Sequence, residues 1–282
     1  DHALHNRRQL RNSRQPMETR VASFTEIIPK KRFILKTFQA ELHVHTVLSP
    51  CAGVEMIPPL IVQKALERGI NLIAITDHNA SENIQAVMQA AEGTELTVLP
   101  GMELQTEEEI HVLCLFDTLD QIKALQEVVD QTLPEIPNNI DYFGEQFIVD
   151  ETGEFIRRKG ILLINSTRLS YEEAYQIVTE IGGLFIPAHV DRQAFGLIYR
   201  LGFVPPEPKP IALEISRHIS REDALEKYPQ LAAFPLIQSG DVHYLDDFLG
   251  GNRFLIEEPN IAEIKMALKG ANGRYFELKQ RT

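Results

Sequence analysis

Short apolar runs alternate with amphipathic segments along residues 38–282. Apolar runs of this length are typical of strands that are buried on both faces. Between them lie segments such as residues 84–91, whose apolar positions recur at helical spacing. The alternation predicts an α/β protein with a parallel sheet or barrel. The predicted strands are LIAIT (72–76), LTVL (96–99), HVLCLF (111–116), ILLI (161–164), LFI (184–186), IALEI (211–215) and LIQ (236–238).

Helix-boundary signals fall between these runs. Proline suits the first turn of a helix, because the N–H that it lacks has no helical partner there. Ser or Thr followed three residues later by Glu or Gln forms a capping box. These signals predict helices that begin near residues 58, 118, 170 and 260. The residues concerned are Pro58 with Pro59, Thr118 with Gln121, Ser170 with Glu173, and Asn260.

Residues 134–160 interrupt the alternation. The stretch FIVDETGEFIRR places two apolar segments on either side of a turn at residues 150–153, which predicts a β-hairpin. We interpret residues 134–160 as an insertion between barrel units. The predicted division is a basic arm and lead-in segment over residues 1–37 and one barrel domain over residues 38–282.

Charge is spread unevenly along the 282 residues. The net charge is −12, but residues 1–37 contain nine Lys or Arg and three acids, which leaves −18 on the remainder. The first 20 residues are rich in Arg and poor in acid like a transit peptide, and we interpret them as a disordered arm or an expression leftover. The acidic body disfavours nonspecific binding to nucleic acid or anionic membranes. Two cysteines give no disulfide framework, and no apolar stretch is long enough to cross a membrane, so we expect a cytoplasmic protein.

Histidines and acids gather at the ends of the predicted strands. In the stretch AELHVHT, His43 and His45 are two residues apart and would point to the same face of a strand. The other candidates are His78 after LIAITD, Glu103 after VLPGM, His111 at the start of HVLCLF, His189 after LFIPA, and Asp241 with His243 after LIQSG.

The number of these convergent donors favours a metal centre over scattered surface histidines. In an α/β barrel the carboxyl ends of the strands meet at one mouth, so residues 200 positions apart can share a cavity. Imidazole and carboxylate together suit Zn²⁺, Mn²⁺ or Fe²⁺. Six histidines in a partly dry pocket without a metal would leave many ring nitrogens in need of partners.

The ordered set of motifs resembles the PHP (polymerase and histidinol phosphatase) family of metal-dependent phosphoesterases. The motifs are LHVHT, ITDHN, LPGME, EEIHVL, IPAHVDR and SGDVH, and they cover about residues 38 to 282. The resemblance implies a distorted (β/α)7 TIM-like barrel with two or three divalent metal ions (Zn, Mn or Fe) at its mouth.

The resemblance also implies the metal ligands. Cys51 stands where family members with a full third site often have His or Asp, so it could be a soft ligand or a small buried residue. Asp77 could contact a metal or orient a histidine. The implied set is His43, His45 and Asp241 for one metal, Glu103 as a bridge between two, His111 and His189 for the second, and His78 with His243 for a third.

The activity that follows is phosphoester hydrolysis. Two close dications generate hydroxide at neutral pH and neutralise phosphate oxygens. We expect a metal-bridging hydroxide to attack a small phosphorylated metabolite or nucleotide, with no catalytic group identified beyond the metal-bound water. Arg192 and Arg217 are candidate phosphate contacts, because a guanidinium binds phosphate bidentately. Pairing with Asp191 as part of the scaffold is the alternative for Arg192.

Two other functions stay open. One is a 3′–5′ exonuclease-like nuclease, although phosphate contacts along a nucleic acid need a basic track and the body of the chain is acidic. The other is a non-catalytic metal-binding module. The expected partner is a small phosphorylated substrate, with no membrane and with no nucleic acid beyond short nucleotides.

Overall fold

The computed structural model describes residues 34–279, so residues 1–33 of the predicted basic arm lie outside the described residues. Within residues 34–279 strands alternate with helices. The strands are β1 (Lys36–Val44), β2 (Leu72–Ile75), β3 (Thr97–Gln105), β4 (His111–Leu115), β5 (Phe147–Val149), β6 (Phe155–Arg158), β7 (Leu184–Pro187), β8 (Leu213–Ile215), β9 (Leu236–Gln238), β10 (Asn252–Ile256) and β11 (Tyr275–Leu278). The helices are α1 (Pro58–Glu67), α2 (Ile84–Ala90), α3 (Leu119–Thr132), α4 (Ile140–Phe143), α5 (Tyr171–Glu180), α6 (Leu197–Leu201), α7 (Arg221–Lys227) and α8 (Ile261–Leu268).

Seven strands form one curled sheet in the order β11-β10-β1-β2-β3-β4-β7. Strands β1, β2 and β3 are parallel, whereas β10, β11, β4 and β7 join the sheet in antiparallel pairs. Strands β8 and β9 form a separate parallel pair. The predicted α/β class is confirmed. The strand pairing in residues 34–279 gives an open half-barrel, so a complete (β/α)7 ring is not confirmed.

Strand β3 changes its pairing at Gly101. It runs parallel to β2 as far as Pro100 and antiparallel to β4 from Gly101 onward. The strands approach so closely here that a Cβ atom on Gly101 would lie 2.9 Å from the carbonyl oxygen of Ile75. Glycine allows this approach. Strand β3 therefore continues past Gly101. It places Glu103 between β4 and the segment that follows β2.

The apolar runs are buried on both faces of the sheet, as their sequence predicts. In β2, Leu72 and Ala74 contribute to one apolar cluster, and Ile73 with Ile75 contributes to the other. Both clusters consist of buried side chains, which fixes the strands and leaves their polar ends to form the site. The predicted capping boxes at the starts of α3 and α5 are both present.

The predicted strand at residues 161–164 is wrong. The backbone N–H of Leu163 donates to the side chain of Gln146, and its carbonyl accepts from the side chain of Asn79. Ile161 makes only an isolated bridge with Pro137. Side chains satisfy Ile161 and Leu163, and the N–H of Leu162 donates to the carbonyl of Ile136, so the apolar run packs as an irregular segment.

The predicted hairpin is present as the antiparallel pair of β5 and β6, with its turn at residues 150–153. All four residues of β6 are exposed. Strands β10 and β11 are not among the predicted strands. No helix within residues 34–279 is both long enough and apolar enough to cross a lipid bilayer.

Candidate metal centre

Backbone contacts bring the ends of distant strands together. The N–H of His45 donates to the carbonyl of Val242 at 2.9 Å, and the N–H of Val242 donates to the carbonyl of His43 at 2.9 Å. His78 and Glu103 form an isolated parallel bridge. These contacts join the segments that follow β1, β2 and β9 to β3, so the residues predicted from separate motifs share one buried site.

The carboxylate of Glu103 lies at the centre of this site and is 1% exposed. Its two oxygens face five imidazole rings. A carboxylate that contacts five imidazoles is placed as a ligand shared between metal ions would be. The distances to Oε1 are 2.8 Å from His111 Nδ1, 3.0 Å from His189 Nε2 and 3.3 Å from His43 Nε2, and those to Oε2 are 2.9 Å from His78 Nδ1 and 3.3 Å from His45 Nε2.

Three overlapping groups of side chains each place their donor atoms within 4.8 Å of one another. The predicted ligand His189 belongs to none of these three groups, although its Nε2 atom contacts Glu103. The other predicted ligands all take part. The groups are His43, His45, Glu103 and Asp241; His78, Glu103 and His111; and His45, His78 and His243.

Several of these donor atoms make no hydrogen bond to any atom of residues 34–279. An unpaired buried polar atom costs about 1–3 kcal/mol, so such atoms are rare in native proteins. A shared divalent cation would satisfy them, and the mixture of imidazole and carboxylate suits Zn²⁺, Mn²⁺ or Fe²⁺. The residues present therefore fit a metal centre. The atoms are His43 Nε2, His45 Nε2, His78 Nδ1, Glu103 Oε2 and Asp241 Oδ1.

Glu214 orients two of the histidines. Its Oε1 atom lies 2.9 Å from Nδ1 of His43 and accepts the backbone N–H of His189 at 3.2 Å. Glu214 is 1% exposed and is the middle residue of the buried strand β8. A carboxylate on one ring nitrogen fixes the ring and directs the other nitrogen toward a metal.

Ser49 and Asp77 orient His45. The Nδ1 atom of His45 lies 2.9 Å from the hydroxyl of Ser49, and that hydroxyl donates to Asp77 at 2.7 Å. Asp77 also accepts from the N–H and the hydroxyl of Thr46, each at 2.7 Å. Both oxygens of Asp77 are therefore occupied by this loop, and Asp77 supports a histidine rather than facing the donor groups.

Three orienting residues are absent from the predicted set: Glu214, Ser49 and Gln105. The side-chain oxygen of Gln105 lies 3.2 Å from Nε2 of His111. A lone acid inside the apolar run IALEI was an available signal for Glu214, because a buried carboxylate needs a partner. Ser49 and Gln105 lie in stretches whose sequence carries no comparable signal.

Burial and neighbouring carboxylates shift the pKa values of the histidines in opposite directions. Burial by itself lowers the pKa of His43, but Glu214 and Glu103 outweigh it and raise that pKa well above its usual value. The pKa of His78 is raised by Glu103 against the same effect of burial. For His111 burial dominates and lowers the pKa to about 4. A cation that binds here therefore competes with protons on His43 and His78.

Cys51 lies on the exposed side of the centre. Its Sγ atom is 3.1 Å from Nε2 of His243. Burial alone would raise the pKa of the thiol, but His78 and His243 lower it to about 5. The thiol therefore lies against one imidazole of the third donor group, that of His243.

Both predicted phosphate contacts lie beside the centre and are paired with acids. Arg192 donates to Oδ2 of Asp241 at 2.7 Å. Asp191, its alternative partner from the sequence, instead accepts from Ser216. Arg217 pairs with Asp247.

Two of the donors have left-handed backbone conformations. The φ angle is 30° at His189 and 49° at Asp241. Residues other than glycine seldom adopt such angles, and strained backbone of this kind clusters at functional sites. Each residue follows a strand closely, so the unusual turn aims its side chain back over the strand ends.

A mixed α/β fold with this buried set of imidazoles and carboxylates is that of a metal-dependent hydrolase. The family model described as PHP domain matches residues 41–190, which is more than half of the chain. The chain belongs to the PHP domain family, and the resemblance seen in its motifs is confirmed. No curated protein sequence matches it.

Solved structures with a similar fold include two of Endonuclease Q. The lesion-specific endonuclease from Pyrococcus furiosus has 21% identity and a TM-score of 0.66, with 86% of this chain and 58% of that chain covered. A complex of Endonuclease Q with a 27-mer duplex that has an abasic lesion at its active site has 20% identity, a TM-score of 0.65 and the same coverage. The chain thus spans less than two thirds of these endonucleases. An amidohydrolase from Chromobacterium violaceum with bound sulfate has 17% identity and a TM-score of 0.52, with 75% of this chain and 90% of that chain covered.

The expectation of a small phosphorylated partner and no nucleic acid is wrong. It is contradicted by the two Endonuclease Q structures, one of which contains duplex DNA at the active site. The expectation rested on the net charge of −12. Net charge describes the average field around a protein, whereas the binding of a phosphate group at a metal centre depends on the positive charges close to it.

Proposed function

We propose that this chain is a metal-dependent phosphoesterase that hydrolyses phosphodiester bonds in nucleic acid. The observation that supports the proposal most directly is the position of Glu103, whose carboxylate is shared by two overlapping donor groups. The fold shared with Endonuclease Q supports nucleic acid as the substrate. Two close divalent ions, when bound, activate water and neutralise the charge that develops on a transferring phosphoryl group.

Each side chain in the centre has a role in this proposal. Glu103 would be shared by two ions. The orienting contacts from Glu214 and Ser49 hold the imidazoles of His43 and His45 in place before substrate binds. His189, whose Nε2 atom lies 3.0 Å from Glu103 Oε1, would help to hold the second ion. The proposed ligands are His43, His45, His78, Glu103, His111, His189, Asp241 and His243.

Arg192 and Arg217 are the proposed contacts to substrate phosphate. A guanidinium has five N–H donors, so the bond from Arg192 to Asp241 leaves it with donors for a phosphate oxygen. The side chain of Arg192 is 38% exposed and that of Arg217 is 32% exposed, so substrate can reach both. Arg192 thereby couples the position of a bound phosphate to that of the ligand Asp241.

Cleavage of end-labelled single-stranded and duplex DNA, with and without a chelator, tests the proposal. We expect cleavage that depends on added Mn²⁺ or Zn²⁺ and that falls in Glu103→Gln by at least about 100-fold, because losing a bridging ligand exceeds the 10- to 100-fold cost of losing an orienting residue. Glu135→Gln, at an exposed position, is the matched control and should keep full activity.

Three results of the DNA assay would contradict the proposal. Cleavage that survives chelation would exclude a metal-dependent reaction. Intact DNA under all metal conditions, together with hydrolysis of p-nitrophenyl phosphate, would exclude nucleic acid as the substrate. A Glu103→Gln variant that keeps its circular dichroism spectrum and its activity would exclude the shared carboxylate.

A further inference from the structure

A cavity of about 540 Å³ opens at the end of the strands that lies away from the metal centre. Its wall includes Leu184 at the start of β7, Ile211 just before β8 and Pro235 directly before β9. The donor residues His189 and Asp241 instead follow the other ends of β7 and β9. Strand β7 is about 13 Å long, so the cavity is separate from the centre. Its volume lies within the range of about 300–1,000 Å³ that is usual for small-molecule sites.

Flat rings line the apolar part of this cavity. The wall contains the rings of Tyr175, Phe185 and Phe234, together with Pro210 and Pro235. Tyr175 and Phe185 meet edge to face, with their ring centroids 5.4 Å apart. This contact holds the two rings in a defined orientation. Such a wall suits a ligand with a planar aromatic body, because aromatic groups pack on one another in offset or edge-to-face arrangements.

Three lysines supply the charge of the wall: Lys209, Lys265 and Lys269. Within residues 34–279, the residues that line the cavity include no Asp or Glu. Asp117 acts on Lys265 from outside this wall, but its Oδ1 atom accepts the N–H of Ile261. The cavity is therefore positively charged, in a chain whose net charge is −12.

Two of these lysines lie four residues apart along one helix. Lys265 belongs to α8, and Lys269 follows the last residue of that helix. Like charges at this spacing repel each other across one helical turn. Burial and the charge of Lys269 both lower the pKa of Lys265. An anion bound between the two ammonium groups would offset this repulsion.

A favourable helix end does not explain all three lysines. The dipole of α8 favours cations near its carboxyl end, which accounts for Lys269. It does not account for Lys209, which comes from the loop before β8 and has its Nζ atom 5.2 Å from the centre of the Phe234 ring. The Nζ atom of Lys265 donates to the carbonyl of Gly183 at 2.8 Å, so it is held at the wall and keeps two N–H donors. Lysines from two parts of the chain therefore meet beside the aromatic wall.

We propose that this cavity binds a small organic anion that has a planar aromatic body and at least two negative charges. The anionic groups pair with the three lysines, and the planar body packs against Phe234 and Tyr175. The inference goes beyond the proposed function, because it uses none of the donors of the metal centre. Two kinds of compound have this chemistry, namely a free nucleotide and an aromatic polycarboxylate.

Calorimetric titration tests the cavity with one probe of each kind, ADP and benzene-1,3,5-tricarboxylate. The full chain is titrated in the presence of a chelator, so that phosphate or carboxylate groups cannot bind through metal ions. We expect at least one of the two probes to bind one to one, and the probe that binds identifies the kind of compound. Its affinity should fall as salt is added, because salt screens the attraction between the lysines and the anion.

Fragments of each probe separate the two parts of the cavity. Adenosine keeps the planar body of ADP without the charge, and pyrophosphate keeps the charge without the body. Propane-1,2,3-tricarboxylate likewise keeps the three charges of the benzene probe without its ring. Each fragment should bind at least about tenfold more weakly than its parent, because it loses either the charged hydrogen bonds or the aromatic contacts.

Substitution of the lysines locates the site. Lys265→Gln and Lys269→Gln should each weaken binding about tenfold, and Lys269→Glu should abolish it, because these changes remove or reverse a charge beside the anion. Lys123→Gln, at an exposed position on α3, is the matched control and should bind as wild type does. Glu103→Gln, in the metal centre, should also bind the probe as wild type does. Circular dichroism checks that each variant keeps its fold.

Several results would overturn the proposal. Binding of neither probe would exclude the ligand class, and a charged fragment that binds as tightly as its parent would exclude the planar body. Binding that Lys265→Gln and Lys269→Glu leave unchanged, or that Glu103→Gln removes, would place the anion outside this cavity. A chain that binds a probe through the lysines but cleaves no DNA would support the cavity while overturning the proposed function.

Discussion

The Nδ1 atom of His43 lies 2.9 Å from the Oε1 atom of Glu214, and both side chains are buried. A carboxylate in this position fixes the tautomer of the imidazole and makes its other nitrogen a stronger base. The same oxygen accepts the backbone N–H of His189. One buried acid that no predicted motif contains thus links β1 to the segment that follows β7.

Glu214→Gln should weaken metal binding while keeping the fold. Glutamine has the same shape but no charge, and outer contacts of this kind are worth about 10- to 100-fold in metal affinity. Titration of the metal-free protein with Zn²⁺ in the presence of a competing chelator measures the loss. Glu135→Gln serves as the control at an exposed position. Equal affinities for Glu214→Gln and wild type would show that the contact does not orient His43.

Metal affinity should rise with pH. The raised pKa values of His43 and His78 mean that both imidazoles hold protons at pH values where free histidine has lost them. A metal ion must displace these protons, so binding releases protons and is weaker at lower pH. Calorimetry between about pH 6 and 8 in buffers of different ionisation enthalpy counts the protons. Metal binding without proton release at about pH 7 would contradict the raised pKa values of His43 and His78.

The thiol of Cys51 should react with iodoacetamide in mildly acidic solution. With a pKa of about 5 it is mostly thiolate above that pH, and the thiolate is the nucleophile. Burial raises the pKa of Cys114, so this second thiol should stay unmodified and acts as an internal control. Peptide mass spectrometry of the metal-free chain gives the rate at each pH. Reaction of Cys51 only in alkaline solution would refute the low pKa.

Gly101→Ala should destabilise the chain by about 1–3 kcal/mol, the usual cost of forcing extra atoms into a packed core. The new Cβ atom would lie 2.9 Å from Ile75 O, Thr76 Cγ2 and Leu115 Cδ2. Gly160→Ala is the control, because a Cβ atom there has nothing within 4 Å. Urea unfolding of both variants measures the free energies. Similar unfolding free energies for the two variants would mean that β3 can move away from β2 and β4 at Gly101 without cost.

The sequence predicted those helices and strands whose signals lie within a few neighbouring residues. Thr118 and Ser170 begin helices because a capping box needs only its own four residues. The run at residues 161–164 failed because its backbone partners, Gln146 and Asn79, are distant side chains. Strand β10 was missed because its buried and exposed positions alternate, so no continuous apolar run marks it.

The convergence of the predicted donor residues was easier to predict than the residues that surround them. Ligand motifs such as LHVHT carry two donors within three residues, and barrel geometry brings strand ends together. Orienting residues such as Ser49 and Gln105 are common amino acids whose role depends on one contact each. The substrate class was wrong because whole-chain charge says little about the few cations, such as Arg192, that stand beside the centre.

The crowding of imidazoles around Glu103 has a practical consequence for preparing this protein. Nitrogen-rich sites hold nickel more tightly than manganese or iron, following the general order of divalent affinities. Chromatography on an immobilised nickel resin would therefore offer the centre a foreign ion during the first purification step. Tag-free isolation, or stripping and deliberate reloading, is needed before the elemental content of the protein can be attributed to the cell that made it.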